Sequence, residues 1–358
     1  MRFTNYRKES SERSDSSNWA KRLLQEGTPF HFDGIEGCNE NNKNVVTHLM
    51  ERARVDCNGT EGIDESSVLH SIIELESVDV LTRKLNFSLA FRLPLTYVLY
   101  CDELEKVWVF ELHNLDRIIF VATYNSYAEF SSWIASIKGW KSTKPFREIG
   151  DLPYFDKKLR RAGTAWPTNI DCFVSDENNQ PIGILEFQNA QTTSVRDHCN
   201  NEFFLCKQEY TDPETGCVKY HDDIRRWQSQ EILRVQSGLR LFVITWAQNS
   251  RDYVLKEIES ITFPALPFSE NWSKHRTYKK AMHDYVTTRD KQYGNFIAQN
   301  FISYSLSYTA PYMILIYHQP PLSAKNKTFP FIYYKYKWLR LGNINHLEEL
   351  FINLINNL

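Results

Sequence analysis

The chain has 358 residues, of which 42% are hydrophobic and 24% are charged, values that are ordinary for a soluble globular protein. This length allows one large domain or two unequal ones. The formal net charge of −2 argues against a protein that coats nucleic acid through bulk positive charge, although basic residues can still be concentrated locally. Aromatic residues make up 14% of the chain, so we expect some rings on a binding surface.

The sequence shows no sign of secretion or membrane insertion. Residues 1–17 are polar and charged and lack the apolar core of a signal peptide. The best candidate for a membrane span, residues 310–317, is too short to cross a bilayer. The seven cysteines are odd in number and scattered, which is typical of reduced thiols. We therefore expect a cytoplasmic protein without membrane contacts.

Four regions are predicted along the chain from shifts in composition. Residues 1–18 are rich in Ser, Arg and Glu and are expected to be flexible. Residues 19–140 are expected to form an N-terminal helical and β-meander region, and residues 141–262 an α/β core. Residues 263–358 form a C-terminal extension rich in aromatic and basic residues.

The N-terminal region is predicted to start with helices and to continue with strands. Helices are expected at residues 19–24 and 45–55, and a third begins after Asp64, whose side chain suits a helix N-cap. An antiparallel meander should follow, because β-branched and aromatic residues alternate with short polar turns over residues 92–100, 107–112 and 117–124. A further helix is predicted from Ser126, its N-cap, to Gly139.

The predicted order in the core is helix, strand, strand, helix, strand. A short basic helix at residues 154–161 precedes strands at residues 169–175 and 182–188, which a turn connects. A loop-rich insertion then leads to a helix at residues 222–236, with Ile224, Trp227, Ile232, Leu233 and Val235 as its apolar positions, and to a buried strand at residues 239–246. Residues 252–261 are predicted to form one more helix. This order is typical of an α/β layer in which a hairpin meets a crossover to a further strand.

Acidic residues on the predicted hairpin are the main candidates for chemistry. Glu186 and Gln188 are two residues apart on one strand and so share a face, and pairing can bring Asp171 close to Glu186. Two carboxylates on a half-buried face repel each other unless a divalent cation binds them, and hard oxygen ligands suit Mg²⁺ or Mn²⁺. The alternative is that Asp171 caps a turn while Glu186 and Gln188 face solvent on an edge strand.

Residues 155–171, which end in Asn-Ile-Asp, and the following Ile-Leu-Glu-Phe-Gln at residues 184–188 resemble the catalytic region of the PD-(D/E)xK nucleases. The resemblance covers residues 150–250. Asp171 matches the first motif position and Glu186 the second, whereas Gln188 replaces the usual Lys, as in some restriction endonucleases. The resemblance implies a restriction-endonuclease-like core, with a mixed sheet flanked by helices. It also implies a metal-dependent endonuclease that cuts double-stranded DNA, in restriction or anti-phage defence.

The residues around this motif have predicted roles in substrate binding. Asn169 lies two residues before Asp171, and Arg226 and Gln230 share a helix face, so all three could contact a phosphate or the metal shell. Arg226 and Gln230 could equally be the polar side of an ordinary amphipathic helix. Glu148 could supply a further acidic ligand, but a salt bridge to the neighbouring basic residues is the preferred interpretation.

Basic residues are concentrated in three runs, which together indicate a phosphate-binding groove, although each alone could be a solvated surface. A homodimer is expected if one site per chain cuts both strands of a duplex. The runs comprise Lys138, Lys141, Lys144, Arg147, Lys157, Lys158, Arg160 and Arg161; Lys274, Arg276, Lys279 and Lys280; and Lys335, Lys337 and Arg340.

Other interpretations stay open or lack support. The insertion contains thiols and imidazoles that could bind zinc, but no tight Cys-x₂-Cys pair, so a loop with reduced thiols is preferred. No Walker loop, Gly-x-Ser-x-Gly motif or His-Glu-x-x-His motif is present. The main alternatives to a DNA endonuclease are an inactive nucleic-acid-binding protein of the same fold and a nuclease acting on RNA or branched DNA. The candidate zinc ligands are His198, Cys199, Cys206, Cys217 and His221.

Overall fold

The computed structural model of the protein describes thirteen stretches of the chain. The chain divides into two compact units, Met1–Glu186 with Leu233–Leu239 and Phe187–Ile232 with Arg240–Leu358. The described stretches are residues 3–5, 30–40, 45–56, 63–139, 141–142, 152–165, 168–190, 209–213, 215–220, 224–247, 252–262, 313–317 and 333–343.

The first unit is a mixed sheet with helices, in the strand order β8-β7-β2-β3-β4-β5-β6 and with β1 also paired to β3. The β3–β4 pair is parallel and the other pairs within this unit are antiparallel. Its strands are β1 (Phe3–Asn5), β2 (His31–Glu40), β3 (Val46–Val55), β4 (Leu95–Cys101), β5 (Lys106–Asn114), β6 (Arg117–Tyr124), β7 (Thr168–Ser175) and β8 (Pro181–Asn189), the last up to Glu186. Its helices are α1 (Glu65–Glu76), α2 (Val78–Ala90), α3 (Tyr127–Lys138) and α4 (Tyr154–Arg161).

Helices cover both faces of this sheet. Neighbouring residues of a strand point to opposite faces, and two such residues of β3 show which helix lies on which face. Glu51 forms an ion pair with Lys84 of α2 at 3.3 Å, whereas Arg52 forms one with Asp156 of α4 at 3.1 Å. We refer to these as the α2 face and the α4 face.

The core of the α4 face is largely aromatic. Phe155 of α4 stacks on Tyr100 of β4, with ring centroids 4.2 Å apart, and meets Tyr127 of α3 edge to face. Phe130 of α3 lies in the same buried cluster. Burying large rings contributes much of the hydrophobic stabilisation of a fold, so this cluster fixes α3 and α4 on the sheet.

The helix ends follow the local rules of the sequence. The Ser126 hydroxyl accepts a hydrogen bond from the backbone N–H of Glu129 at the start of α3, and Asp64 accepts one from Ser67 at the start of α1. Gly139 and Gly163 end α3 and the turn after α4 with φ angles of 73° and 72°, the left-handed region that glycine tolerates best. These caps, the helices α3 and α4, and the meander β4-β5-β6 confirm the predictions for these stretches.

The second unit contains the antiparallel ladders β11-β12-β14-β13 and a separate β9–β10 hairpin. Leu241 to Trp246 in β11 are all buried, as predicted for this strand. The helix α5 is present as expected, but Val235, one of its predicted apolar positions, is 64% exposed. The elements are β9 (Glu209–Thr211), β10 (Val218–Tyr220), α5 (Ile224–Ser237, up to Ile232 in this unit), β11 (Arg240–Trp246), β12 (Asp252–Thr262), β13 (Met313–Tyr317) and β14 (Tyr333–Asn343).

Two segments predicted to be helices are strands. Residues 45–55 form β3 and residues 252–261 lie in β12. Both show apolar residues at helical spacing because charged residues occupy inward positions of the strand. Arg52 is buried through its pair with Asp156, and Glu257 through two hydrogen bonds from Arg240, at 2.7 and 2.8 Å. β2, whose sequence has few apolar residues, was not predicted at all.

Other expectations have mixed outcomes. Cys101 is disulfide-bonded, so the expectation of reduced thiols is wrong for this residue, whereas Cys172 and Cys217 form no disulfide. No helix within the described residues is long and apolar enough to cross a membrane. The mixed α/β fold with helices beside a mixed sheet is confirmed, while the restriction-endonuclease-like core and the domain bounds stay predictions.

Candidate functional site

The hairpin β7–β8 carries the predicted carboxylates and has a well-defined turn. Asp176 accepts hydrogen bonds from the backbone N–H groups of Asn178 and Gln180, at 2.9 and 2.8 Å. This Asx-type turn joins the strands without a long loop. The predicted strand–turn–strand unit is therefore confirmed, and its turn fixes which residues of the two strands face each other.

Asp171 and Glu186 occupy matching positions at the far end of this hairpin. The antiparallel ladder runs from Val174–Gly183 through Phe173–Ile184 to Cys172–Leu185. Asp171 and Glu186 are the next residues of their strands after this last pair. Residues that follow a ladder pair on two antiparallel strands stay neighbours across the strands, so the structure brings the two carboxylates to the same end of the hairpin.

The two carboxylates differ in burial. Glu186 is 1% exposed, whereas Asp171 is half-buried. The alternative in which Glu186 faces solvent on an edge strand is therefore wrong. Glu186 also lies on the α2 face, because it follows Ile184 by two residues and the ladder partner of Ile184, Phe173, stacks on Phe87 of α2.

A β-bulge in β7 lies at Asp171. Along the β2–β7 ladder, Asp33 pairs with Phe173 and Ile35 pairs with Ile170. β7 therefore advances three residues while β2 advances two, and the extra residue lies in the stretch that contains Asp171. Bulges redirect side chains and are frequent next to active sites. The direction of the Asp171 side chain thus depends on how β2 is held against β7.

Gln188 follows Glu186 by two residues in β8 and belongs to the second unit. Its side chain is half-buried, and its Oε1 atom accepts a hydrogen bond from the buried Thr245 hydroxyl at 3.1 Å. Thr245 therefore fixes the carbonyl end of the amide. A Gln in this position can orient a polar partner by hydrogen bonding but supplies no charge.

The structure describes only some of the other predicted site residues. The backbone of Asn169 lies in β7 and that of Arg226 in α5, but their side chains are outside the described part, as is all of Glu148. Gln230 is 0% exposed, so its burial lends no support to a phosphate contact. Of the candidate zinc ligands, only Cys217 lies within the described residues, as a half-buried thiol that forms no disulfide.

The basic helix α4 lies on the face opposite to Glu186. Asp156 and Phe155 anchor α4 to the α4 face, whereas Glu186 lies on the α2 face. Lys158 forms an ion pair with Glu105 at 2.7 Å, and this hydrogen bond raises the pKa of Lys158. Part of the positive charge of α4 is thus compensated locally. Lys157 and Arg160 are half-buried and Arg161 is exposed.

A buried ionic network under α2 was not predicted from the sequence. Lys84 Nζ lies 2.7 Å from a Glu76 carboxylate oxygen and 3.3 Å from one of Glu51. Arg83 Nε and Nη2 donate to both oxygens of Asp33, at 2.5 and 3.3 Å. The signal in the sequence is the pair of adjacent cations, Arg83 and Lys84, which lie between apolar residues of α2.

A divalent-cation site at the hairpin would have two carboxylate ligands from the described residues, Asp171 and Glu186. Within the described residues, no group of three or more His, Cys, Asp or Glu side chains is arranged to hold a metal. Two carboxylates are nevertheless a suitable donor set for Mg²⁺, which keeps several waters and is commonly held by one or two carboxylates together with substrate phosphates. Asp171 and Glu186 are two carboxylates at the same end of the hairpin.

Comparison of the chain with family models, with curated proteins and with solved structures returned no match.

Proposed function

We propose that the protein is a metal-dependent endonuclease that hydrolyses phosphodiester bonds of DNA, in restriction or anti-phage defence. The observation that carries the proposal is the position of Asp171 and Glu186 directly beyond the last pair of one ladder, with Glu186 buried. Two carboxylates at one end of a hairpin are a donor set that suits Mg²⁺ or Mn²⁺, since such ions are commonly held by one or two carboxylates together with substrate phosphates.

The residues of the hairpin have distinct roles in this proposal. Asp171 and Glu186 hold Mg²⁺ or Mn²⁺, which when bound polarises a phosphodiester and lowers the pKa of an attacking water. Gln188, whose carbonyl oxygen accepts from the Thr245 hydroxyl, stays a predicted contact for water or a phosphate oxygen. Asn169, Arg226 and Gln230 stay predicted substrate contacts.

The proposed substrate is double-stranded DNA, and the basic residues of α4 are the described candidates for contacts with its backbone. Because α4 lies on the opposite sheet face from Glu186, these contacts would hold the duplex away from the scissile phosphate rather than at it. A homodimer with two-fold symmetry would let one site per chain cut each strand.

A plasmid assay tests the proposal. Supercoiled DNA is incubated with the wild type, Asp171→Asn and Glu186→Gln, each with Mg²⁺, Mn²⁺ or EDTA. We expect cutting by the wild type with either metal, none with EDTA, and a loss of at least about a hundredfold in each variant, as for the removal of a group that acts in the transition state. The control Glu177→Gln removes an exposed carboxylate in the turn of the same hairpin and should cut normally.

Equal cutting by the wild type and both site variants would contradict the proposal. Repeating the assay with RNA and with branched DNA identifies the substrate class, because the same site could act on either.

A non-enzymatic nucleic-acid-binding protein is the second candidate, and Gln188 favours it. The hydrogen bond from Thr245 occupies one side of this amide, and no cation stands at this position in the sequence. Retained DNA binding without cutting of any nucleic acid in either metal would support this function over the endonuclease.

A further inference from the structure

The bulge in the stretch that contains Asp171 adjoins a ladder pair whose two residues both contact α2. This pair is Asp33 of β2 and Phe173 of β7. Arg83 of α2 binds the Asp33 carboxylate through two nitrogens, and Phe87, one helical turn later, stacks on Phe173 with ring centroids 4.4 Å apart and planes 20° apart. The helix α2 therefore contacts both residues of the ladder pair that lies next to the extra residue of β7.

The Arg83–Asp33 contact is the more specific of the two. The side chains are 9% and 12% exposed, and the guanidinium donates in the two-pronged geometry that fixes direction as well as distance. Phe87 supplies buried area, which other apolar residues could also supply. β2 bears the shorter side of the bulge, and Asp33–Phe173 is one of the two ladder pairs that bound the extra residue of β7; the other is Ile35–Ile170.

We propose that Arg83 is a positioning residue for the Asp171–Glu186 pair: by anchoring Asp33 it maintains the β2–β7 bulge that directs Asp171 toward the metal site. The inference rests on the proposed function, because it assigns Arg83 a purpose within that site. Arg83 itself touches neither metal nor substrate. Groups that orient metal ligands typically change metal affinity by about ten- to a hundredfold when they are removed.

Mn²⁺ binding, followed by electron paramagnetic resonance of the free ion, tests this role without requiring turnover. We expect Arg83→Gln and Asp33→Asn each to weaken Mn²⁺ binding by about tenfold or more. The double variant should be no weaker than either single one, because both changes break the same contact. Arg83→Lys keeps the charge but loses the two-pronged geometry, so its affinity should lie between those of the wild type and Arg83→Gln.

The matched control is Arg52→Gln, which breaks a buried Arg–Asp pair of the same unit on the α4 face. It should lower stability to a comparable extent and leave the Mn²⁺ affinity unchanged. This separates positioning from a general loss of stability. If Arg83→Gln does not fold, Arg83→Lys and Asp33→Asn carry the comparison, at concentrations of folded protein matched by circular dichroism.

The inference is overturned if the Arg83 and Asp33 variants bind Mn²⁺ within twofold of the wild type, or if Arg52→Gln weakens binding as much as they do. In either case a wild type that binds Mn²⁺ and cuts DNA leaves the proposed function intact. A wild type that neither binds Mn²⁺ nor cuts overturns the proposed function and this inference together.

Discussion

The two faces of the sheet in the first unit are built differently, although the same strands form both. On the α2 face, Lys84 and Arg83 bind acidic residues from β2, β3 and α1. On the α4 face, the rings of Phe155 and Tyr100 form a stacked core, and Arg52 makes the buried ion pair. Apolar packing stabilises without specifying direction, whereas buried ion pairs fix geometry at little net gain. The α2 face, which carries Glu186, is therefore held by ion pairs that fix the geometry of its side chains but add little net stability.

The largest effect should come from removing the cation of the α2 network. Lys84→Met leaves the buried Glu51 and Glu76 without their shared ammonium partner, and breaking a buried pair in this way costs about 3 to 5 kcal/mol. Urea unfolding measures the loss. Lys141→Met removes an exposed lysine of the same unit and should change stability by no more than about 0.5 kcal/mol. A loss of less than about 1 kcal/mol in the free energy of unfolding of Lys84→Met would show that the ion pairs of Lys84 do not stabilise the fold.

A smaller and pH-dependent loss is expected on the α4 face. Burial raises the pKa of Asp156 to about 7, although the charge of Arg160 lowers it in part, and Asp156 also pairs with Arg52 at 3.1 Å. Below this pKa the carboxyl holds a proton in the folded wild type, so its ion pair with Arg52 reaches full strength only at higher pH. A carboxyl with a raised folded-state pKa costs stability as the pH rises from about 4 through about 7, and this cost disappears as the pH falls.

We therefore expect Arg52→Met to lose about 3 kcal/mol at pH 8 and clearly less at pH 5. Urea unfolding of the variant and the wild type at both pH values gives the difference. An equal loss at pH 8 and pH 5 would mean that Asp156 does not take up the proton.

The two segments wrongly predicted to be helices share one physical origin. The local rules worked where local chemistry decides: Asp64 and Ser126 cap helices, Asp176 forms its turn, and Gly139 ends α3. They failed for β3 and β12, in which ion pairs with distant residues bury Arg52 and Glu257. A charged residue at an inward strand position breaks the two-residue alternation, and its partner cannot be found from local sequence.

The same difference between local features and contacts with residues distant in sequence applies to the candidate site. The hairpin with Asp171 and Glu186 could be predicted, because two short strands and a turn are local features. The β2–β7 ladder could not, since β2 comes more than a hundred residues earlier in the chain and has little apolar pattern. The bulge at Asp171 and the contact between Arg83 and Asp33 depend on that ladder and became visible only in the structure.

A local change on the α4 face should have a modest effect. Ser126→Ala removes the hydroxyl that accepts from the backbone N–H of Glu129 at 3.2 Å, and loss of such an N-cap costs about 1 kcal/mol. Thermal unfolding measures it. Ser136→Ala, at an exposed position of the same helix, should leave stability unchanged or slightly raised, since alanine favours helices. Equal unfolding temperatures for the two variants would contradict a stabilising role of the Ser126 hydroxyl as the N-cap of α3.

The smallest effect is expected from His48 of β3. Burial lowers its pKa, and its ring meets Trp133 of α3 edge to face, with centroids 5.5 Å apart. A histidine with a lowered folded-state pKa stabilises the fold fully above its ordinary pKa of about 6.5, and this contribution falls as the pH drops below that value. His48→Gln should therefore reduce the loss of stability between pH 7 and pH 5.5. An unchanged pH profile in the variant would assign that loss to other groups.

The most direct test of the central claim is the stoichiometry of Mn²⁺ binding by the wild type, Asp171→Asn and Glu186→Gln, with Glu177→Gln as the control. A metal site formed by the two carboxylates predicts one bound ion per chain in the wild type and in Glu177→Gln, and affinity lowered by at least about tenfold in each of the other two variants. Equal Mn²⁺ binding by all four proteins would contradict the assignment of Asp171 and Glu186 as the metal ligands.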